Sequence, residues 1–135
     1  MRLVKPVLGS NKEQLSSLLP CSGHPVASAV ALETLKIYEE ENIVDHVRAV
    51  STPFLDGLRQ LQGQHPLVKE VRGIGLLAGV ELIPGYGKEC AHVAEEEGLI
   101  VRAIGDTIAF CPPLIISEEE VGELLTRFKK ALARL

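Results

Sequence analysis

Residues 20–28 read PCSGHPVAS, placing small, hydroxyl-bearing and glycine residues directly ahead of an apolar stretch of helix formers. Backbone N–H groups at a helix start, backed by the helix dipole, attract anions, so this loop is first read as a candidate phosphate cradle. Two short pairs, Cys21-x-x-His24 and Cys90-x-His92, carry metal-ligand residue types. The second pair fails on geometry if residues 88–97 are helical, because positions i and i+2 diverge. Three cysteines, at positions 21, 90 and 111, are an odd count at irregular spacing. Reduced thiols and solvated histidines are therefore expected, with no metal site and no disulfide framework.

Other residues with chemical potential are weaker. Gly73-x-Gly75-x-x-x-Gly79 superficially resembles a nucleotide loop, but a dinucleotide fingerprint lies between a strand and a helix. Here the run continues as strand, and its glycines are expected to let that strand bend. Neither a G-x-S-x-G elbow nor a Ser, His and acidic constellation occurs, and Cys21 with His24 lacks an orienting third group. No catalytic residue is assigned. The runs Glu39–Glu41, Glu95–Glu97 and Glu118–Glu120 fall at helix ends or starts, where solvation explains them. Arg102 stands apart, flanked by apolar residues in LIVRAIGDTIAF. Its guanidinium either points to solvent, the simpler reading, or is held for a bidentate carboxylate. Arg72 poses the same question, with a structural role favoured.

The elements that must position these residues follow from periodicity. Val26, Ala29, Val30, Leu32, Leu35 and Ile37 recur at helical spacing from Pro25 to about Glu41, and Asn42 marks the stop. A second helix is predicted from Ile43 to about Gln62, with Pro53 either kinking it or opening a new start capped by Thr52. Residues 67–83, LVKEVRGIGLLAGVELI, read as a strand with a bend or bulge near Gly73–Gly75. Lys88 to Glu97 suits a short helix capped by Gly98, and LIVRAIG and TIAFCP suit two strands joined around Gly105-Asp106. The last helix opens on a capping box, Ser117 with Glu120, and places acidic residues first and basic residues last. Residues 1–20 read as an irregular lead-in, with one helical turn around 11–19. The expected fold class is α+β in two layers: a small antiparallel or mixed sheet of three to four strands with helices packed on it.

The chain has 135 residues, 46% of them hydrophobic, and a formal net charge of −4, enough for one compact core. Its mildly acidic balance lacks the clustered Lys and Arg of a nucleic-acid face, and an aromatic content of 4% leaves little for base stacking. No stretch is long and apolar enough for a membrane span, and Pro6, Lys12 and Glu13 interrupt any signal-peptide core. Neither a nucleic-acid nor a membrane partner is expected, and the expected location is cytoplasmic.

Three stretches taken together resemble one family. SGHPVASAVALETLKIYEEENIVDHV, VRGIGLLAGVEL and GLIVRAIGDTIAFCPPLIISEEEVGELLTRFKKAL are similar, in order and spacing, to the C-terminal part of class III aminotransferases, pyridoxal phosphate enzymes of fold type I. The likeness covers roughly residues 22–134, so the chain divides into the lead-in 1–20 and an aminotransferase C-terminal-like domain, 21–135. It implies the small domain of that fold, and amino-group transfer between an amine or amino acid and a keto acid or aldehyde.

The resemblance also assigns residues. Arg102 matches an arginine that pairs with a substrate carboxylate in many members. The family pattern ahead of Ser-Gly-His-Pro is a Thr that reaches the cofactor phosphate of the partner subunit, followed by an aromatic residue. Here Pro20 and Cys21 occupy those positions. Proline offers neither hydroxyl nor N–H, so Ser22 and the Gly23 N–H remain as weak substitutes. The family's Schiff-base lysine and the acidic partner of the pyridine nitrogen lie upstream of this motif. Lys5 and Lys12 do not match that segment. The expectation is therefore aminotransferase ancestry in a truncated chain that is inactive, and binds no pyridoxal phosphate, by itself. Its expected partner is a second copy in a dimer or a separate large-domain chain. The alternative is a non-catalytic oligomerising or partner-binding module built from that domain.

Overall fold

The structure, a computed structural model, describes residues 24–135, which fall into two units divided after Glu41. Pro20, Cys21, Ser22, Gly23, the two N-terminal lysines and the predicted turn at 11–19 lie outside the described residues.

The first unit contains helix α1, Pro25–Glu40. Pro25 sits in its first turn, where a missing N–H costs nothing, and His24 precedes it in extended conformation without a capping side-chain bond. No residue of α1 is buried, and Val26, Val30, Leu32 and Leu35 are all exposed.

The second unit begins at Asn42, which has a left-handed φ of 50° and directly precedes helix α2, Ile43–Leu61. Helix α2 runs unbroken through Pro53, so no new start occurs there. Its Val50, Phe54, Leu58 and Leu61 recur at helical spacing and are all buried.

The stretch predicted as one bent strand is instead a hairpin. Strands β1, Val68–Ile74, and β2, Leu77–Leu82, pair antiparallel around Gly75-Leu76. Gly75 has a φ of +58°, the positive value that a two-residue turn needs at its first central position. Leu76 tucks inward and is buried, which is why the turn carries no second polar or glycine marker. The register slips once, between Val68 and Glu70.

Helix α3, Gly87–Glu96, ends as predicted. Gly98 (φ +76°) donates to the Glu95 carbonyl and Leu99 to the Ala94 carbonyl, the paired bonds of a Schellman motif. Strands β3, Arg102–Ile104, and β4, Thr107–Phe110, form the second hairpin around Gly105-Asp106. Helix α4, Glu118–Leu132, carries the complete capping box of Ser117 and Glu120.

The four strands are ordered β1-β2-β4-β3, every neighbouring pair antiparallel. The chain therefore leaves β2, passes through α3, and returns at the far edge as β3 before β4 fills the gap. Alternation along β2 and β4 buries Ala78, Val80, Leu82, Ile108 and Phe110 against the helices. Phe110 lies edge-on to both Phe54 of α2 and Phe128 of α4, with ring centroids 6.4 and 4.9 Å away. One helical layer covers one face of one sheet. The fold class is α+β.

Candidate functional site

The opposite face of the sheet carries the candidate residues. Register places Arg72 of β1 beside Gly79 of β2, Gly79 beside Ala109 of β4, and Ala109 beside Arg102 of β3. The four residues form one row across the sheet, with an arginine at each end and the two smallest side chains between. Strands lie about 4.8 Å apart, so the two arginine backbones are roughly 14 Å apart.

The two ends differ chemically. Arg72 Nη1 donates to Glu70 and to Glu81, at 3.1 Å in each case, and Glu81 also accepts from Lys69. The Lys69 hydrogen bond, with support from Arg72, holds the Glu81 carboxyl below its usual range, and the same bond raises Lys69. Arg72 therefore belongs to a surface ion-pair network with Glu70, Glu81 and Lys69.

Arg102 has no hydrogen-bond or ion-pair partner among the described residues. It opens the edge strand β3 with its side chain exposed. It borders a shallow groove of about 480 Å³ lined by Leu77, Ile100, Val101, Ile104, Ala109 and Cys111. Apart from the Cys111 thiol, these neighbours are apolar, and Ile100 is 90% exposed. A guanidinium in such a setting meets little competition for a carboxylate, which it can bind through two parallel N–H bonds.

The other candidates separate. Cys90 is wholly buried on the inner face of α3, and burial pushes its thiol up to about 11. His92 points outward, its Nε2 3.6 Å from Glu96, so that pair does not converge on a common ligand. Cys111 is free and exposed. The acidic runs at Glu95–Glu97 and Glu118–Glu120 engage Arg134 and the Ser117 cap. Gly73 and Gly79 lie within the strands of the β1–β2 hairpin, with Gly75 at its turn, and not between a strand and a helix.

The class III aminotransferase family profile matches residues 21–132. The chain belongs to the class III aminotransferases. It is 42% identical over 122 residues to putrescine–pyruvate aminotransferase of Pseudomonas aeruginosa, covering 82% of this chain and 27% of that protein. It is 38% identical over 148 residues to the mitochondrial gamma-aminobutyrate transaminase 1 of rice, Oryza sativa, covering 96% of this chain and 28% of that one. Among solved structures, a transaminase with L-alanine superimposes at a TM-score of 0.80 with 45% identity, over 83% of this chain and 29% of that one. The omega transaminase of Pseudomonas jessenii in complex with PMP gives 0.77 and 43%, over 88% and 30%. The chain thus spans less than a third of the length of each aminotransferase.

Class III aminotransferases depend on pyridoxal phosphate. Among the described residues, neither a lysine nor a carboxylate lines the Arg102 groove. Lys36 and Lys69 are exposed and already paired, with Glu33 and Glu81. The residues lining this groove supply neither an amine for the cofactor's aldehyde nor an acid for its ring nitrogen. Sequence reasoning singled out Arg102 but not the small residues in its row, because Gly79 and Ala109 become neighbours only through the β2–β4 pairing.

Proposed function

We propose that this chain serves as the C-terminal, substrate-recognising part of a class III aminotransferase, with Arg102 receiving the carboxylate of the amino donor or acceptor. The observation that carries the reading is a guanidinium without a partner among the described residues, beside an apolar groove, in a chain of this family. The keto acid in the name of the Pseudomonas aeruginosa relative, pyruvate, carries the carboxylate that such a guanidinium binds through paired N–H bonds. Amino transfer itself needs a lysine that binds the cofactor and moves the proton. No lysine lines the groove among the described residues, and in this reading the lysine is supplied by a portion of the enzyme outside them, with a second copy or another chain as the partner.

The exposed apolar residues of α1 and of the open sheet face, among them Leu32, Leu35, Ile74 and Ile104, also favour an interaction module. One experiment tests the main reading. Equimolar pyridoxal phosphate is added to the purified chain, and the imine absorption is followed before and after alanine. The expected result is no band that alanine removes. A band abolished by substituting a single lysine overturns the claim that this chain lacks Schiff-base chemistry.

A further inference from the structure

The hairpin that carries Arg102 is weakly held by its own strands. Strand β3 has three residues and, among the described residues, lies at the sheet edge and pairs only with β4. In so short a ladder the register is poorly fixed by pairing alone. A slip of one residue would turn Arg102 from the open face to the helix face.

Asp106, in the turn of that hairpin, supplies what the strand lacks. Its main-chain carbonyl accepts from Leu82 N at 2.8 Å. Its side-chain Oδ1 accepts from Gly85 N at 2.9 Å and from Gly87 N at 3.0 Å. One residue thus holds the end of β2, the following loop and the first residue of α3. Helix α3 has no capping side chain of its own at Tyr86, so the Asp106 carboxylate also meets its N-terminal dipole. The approach is close by construction. A Cβ on Gly87 would come within 2.1 Å of the Gly105 carbonyl oxygen and 2.8 Å of the Asp106 Cα.

We propose that Asp106 is the positioning residue for Arg102, locking the β3–β4 register so that the guanidinium faces the groove. The carboxylate does not touch the ligand; it acts through the hairpin. The consequence for Arg102 rests on the reading given above, whereas the lock itself does not.

The test uses the ¹⁵N-labelled full chain with two readouts. Cross-strand contacts between Arg102 and Ala109 report register, and the Arg102 Nε–H signal reports binding of pyruvate. Asp106→Ala is expected to lose the Arg102–Ala109 contact while signals of the Phe54–Phe110–Phe128 core persist. Its pyruvate affinity should fall about tenfold or more, because a one-residue slip carries the guanidinium to the other face of the sheet and removes its charged hydrogen bonds. Asp106→Asn keeps an Oδ1 acceptor and should retain both. An Asp106→Ala chain with the Arg102–Ala109 contact at wild-type strength overturns the proposal. Arg102→Ala separates the two claims. If its pyruvate response equals that of the wild type, the carboxylate reading fails, and the register readout still decides the role of Asp106. Should Asp106→Ala not fold, amide exchange in the wild-type chain decides: Gly85 and Gly87 must be protected, and free exchange at both sinks the idea.

Discussion

Arg72 and Arg102 stand at opposite ends of one row across the sheet, and among the described residues only Arg72 is neutralised. That asymmetry gives the two arginines opposite mutational signatures. Arg72→Ala breaks exposed pairs with Glu70 and Glu81, which lowers stability by ~0–1 kcal/mol, the usual range for surface ion pairs. Arg102→Ala removes no partner seen in the described residues and should change stability by less than about 0.5 kcal/mol. Urea unfolding of the two variants checks this, and a large loss for Arg102→Ala would identify a structural ion pair instead.

The Glu81 carboxyl sets an acid limit on the same network. Its ionisation is held below the usual carboxylate range, first by the Lys69 hydrogen bond and then by the lysine charge. In the unfolded chain the group takes up its proton at higher pH than in the fold. Its stabilisation is therefore complete above the ordinary carboxylate range and is lost as pH falls through the depressed folded value. Glu120 behaves alike, held down by the Ser117 backbone N–H and hydroxyl. The urea midpoint should drop as pH falls through and below the ordinary carboxylate range, and Glu81→Gln should flatten part of that slope. An unchanged slope in the variant would exclude Glu81 as a contributor.

Cys90 and Cys111 should differ sharply towards thiol reagents. Cys111 is exposed and is modified in the native chain, whereas Cys90 is sealed in the core and reacts only when the chain opens. The raised Cys90 thiol predicts a basic limit as well. The unfolded thiol ionises near pH 9 and the folded one near 11, so the folded state holds the proton longer. Stability then falls as pH rises from 9 towards 11. Cys90→Ser places a hydroxyl where no polar partner waits and should cost ~1–3 kcal/mol. Mass spectrometry after brief alkylation at neutral pH measures the first claim, and denaturant titrations at pH 8 and 10 the second.

Much of this fold is readable locally. Ser117 with Glu120, Gly98 after α3, and Gly105-Asp106 between two β-rich runs each announce an element through the chemistry of a few adjacent residues. The β1–β2 hairpin is not announced in that way. Its turn is Gly75 followed by Leu76, a residue whose burial belongs to the core, so the apolar run looks continuous. Pro53 misleads for a related reason: the buried stripe of α2 continues on both sides of it and holds the helix together. At the site, Arg102 could be singled out from its apolar flanks. Its row neighbours Ala109 and Gly79 and its lock at Asp106 depend on pairings between distant segments, and local spacing carries no record of them.

The capping box at Ser117 offers a contained test of local stabilisation. Its hydroxyl accepts from Glu120 N at 3.2 Å, while the Glu120 carboxylate takes Ser117 N at 2.8 Å. Ser117→Ala removes one of these two reciprocal bonds and should lower stability by about 1 kcal/mol. The loss should be confined to the first turn of α4, with faster amide exchange at Glu119 and Glu120.

Phe110 joins the two helices to the sheet, and its truncation should damage both. The ring packs edge-on against Phe54 of α2 and Phe128 of α4 and is only 2% exposed. Phe110→Ala leaves a cavity bounded by rigid strands on one side and by two other rings, which cannot all move inward together. The expected cost is about 3–5 kcal/mol, a large fraction of the stability of a domain this size. Phe110→Leu keeps most of the volume and should cost clearly less, the difference measuring the aromatic contacts together with the residual void. Thermal and urea unfolding of the pair decides the matter. Equal losses in the two variants would mean that the site collapses around the smaller residue. A loss below about 1 kcal/mol for Phe110→Ala would mean that this three-ring contact does not hold the helical layer to the sheet.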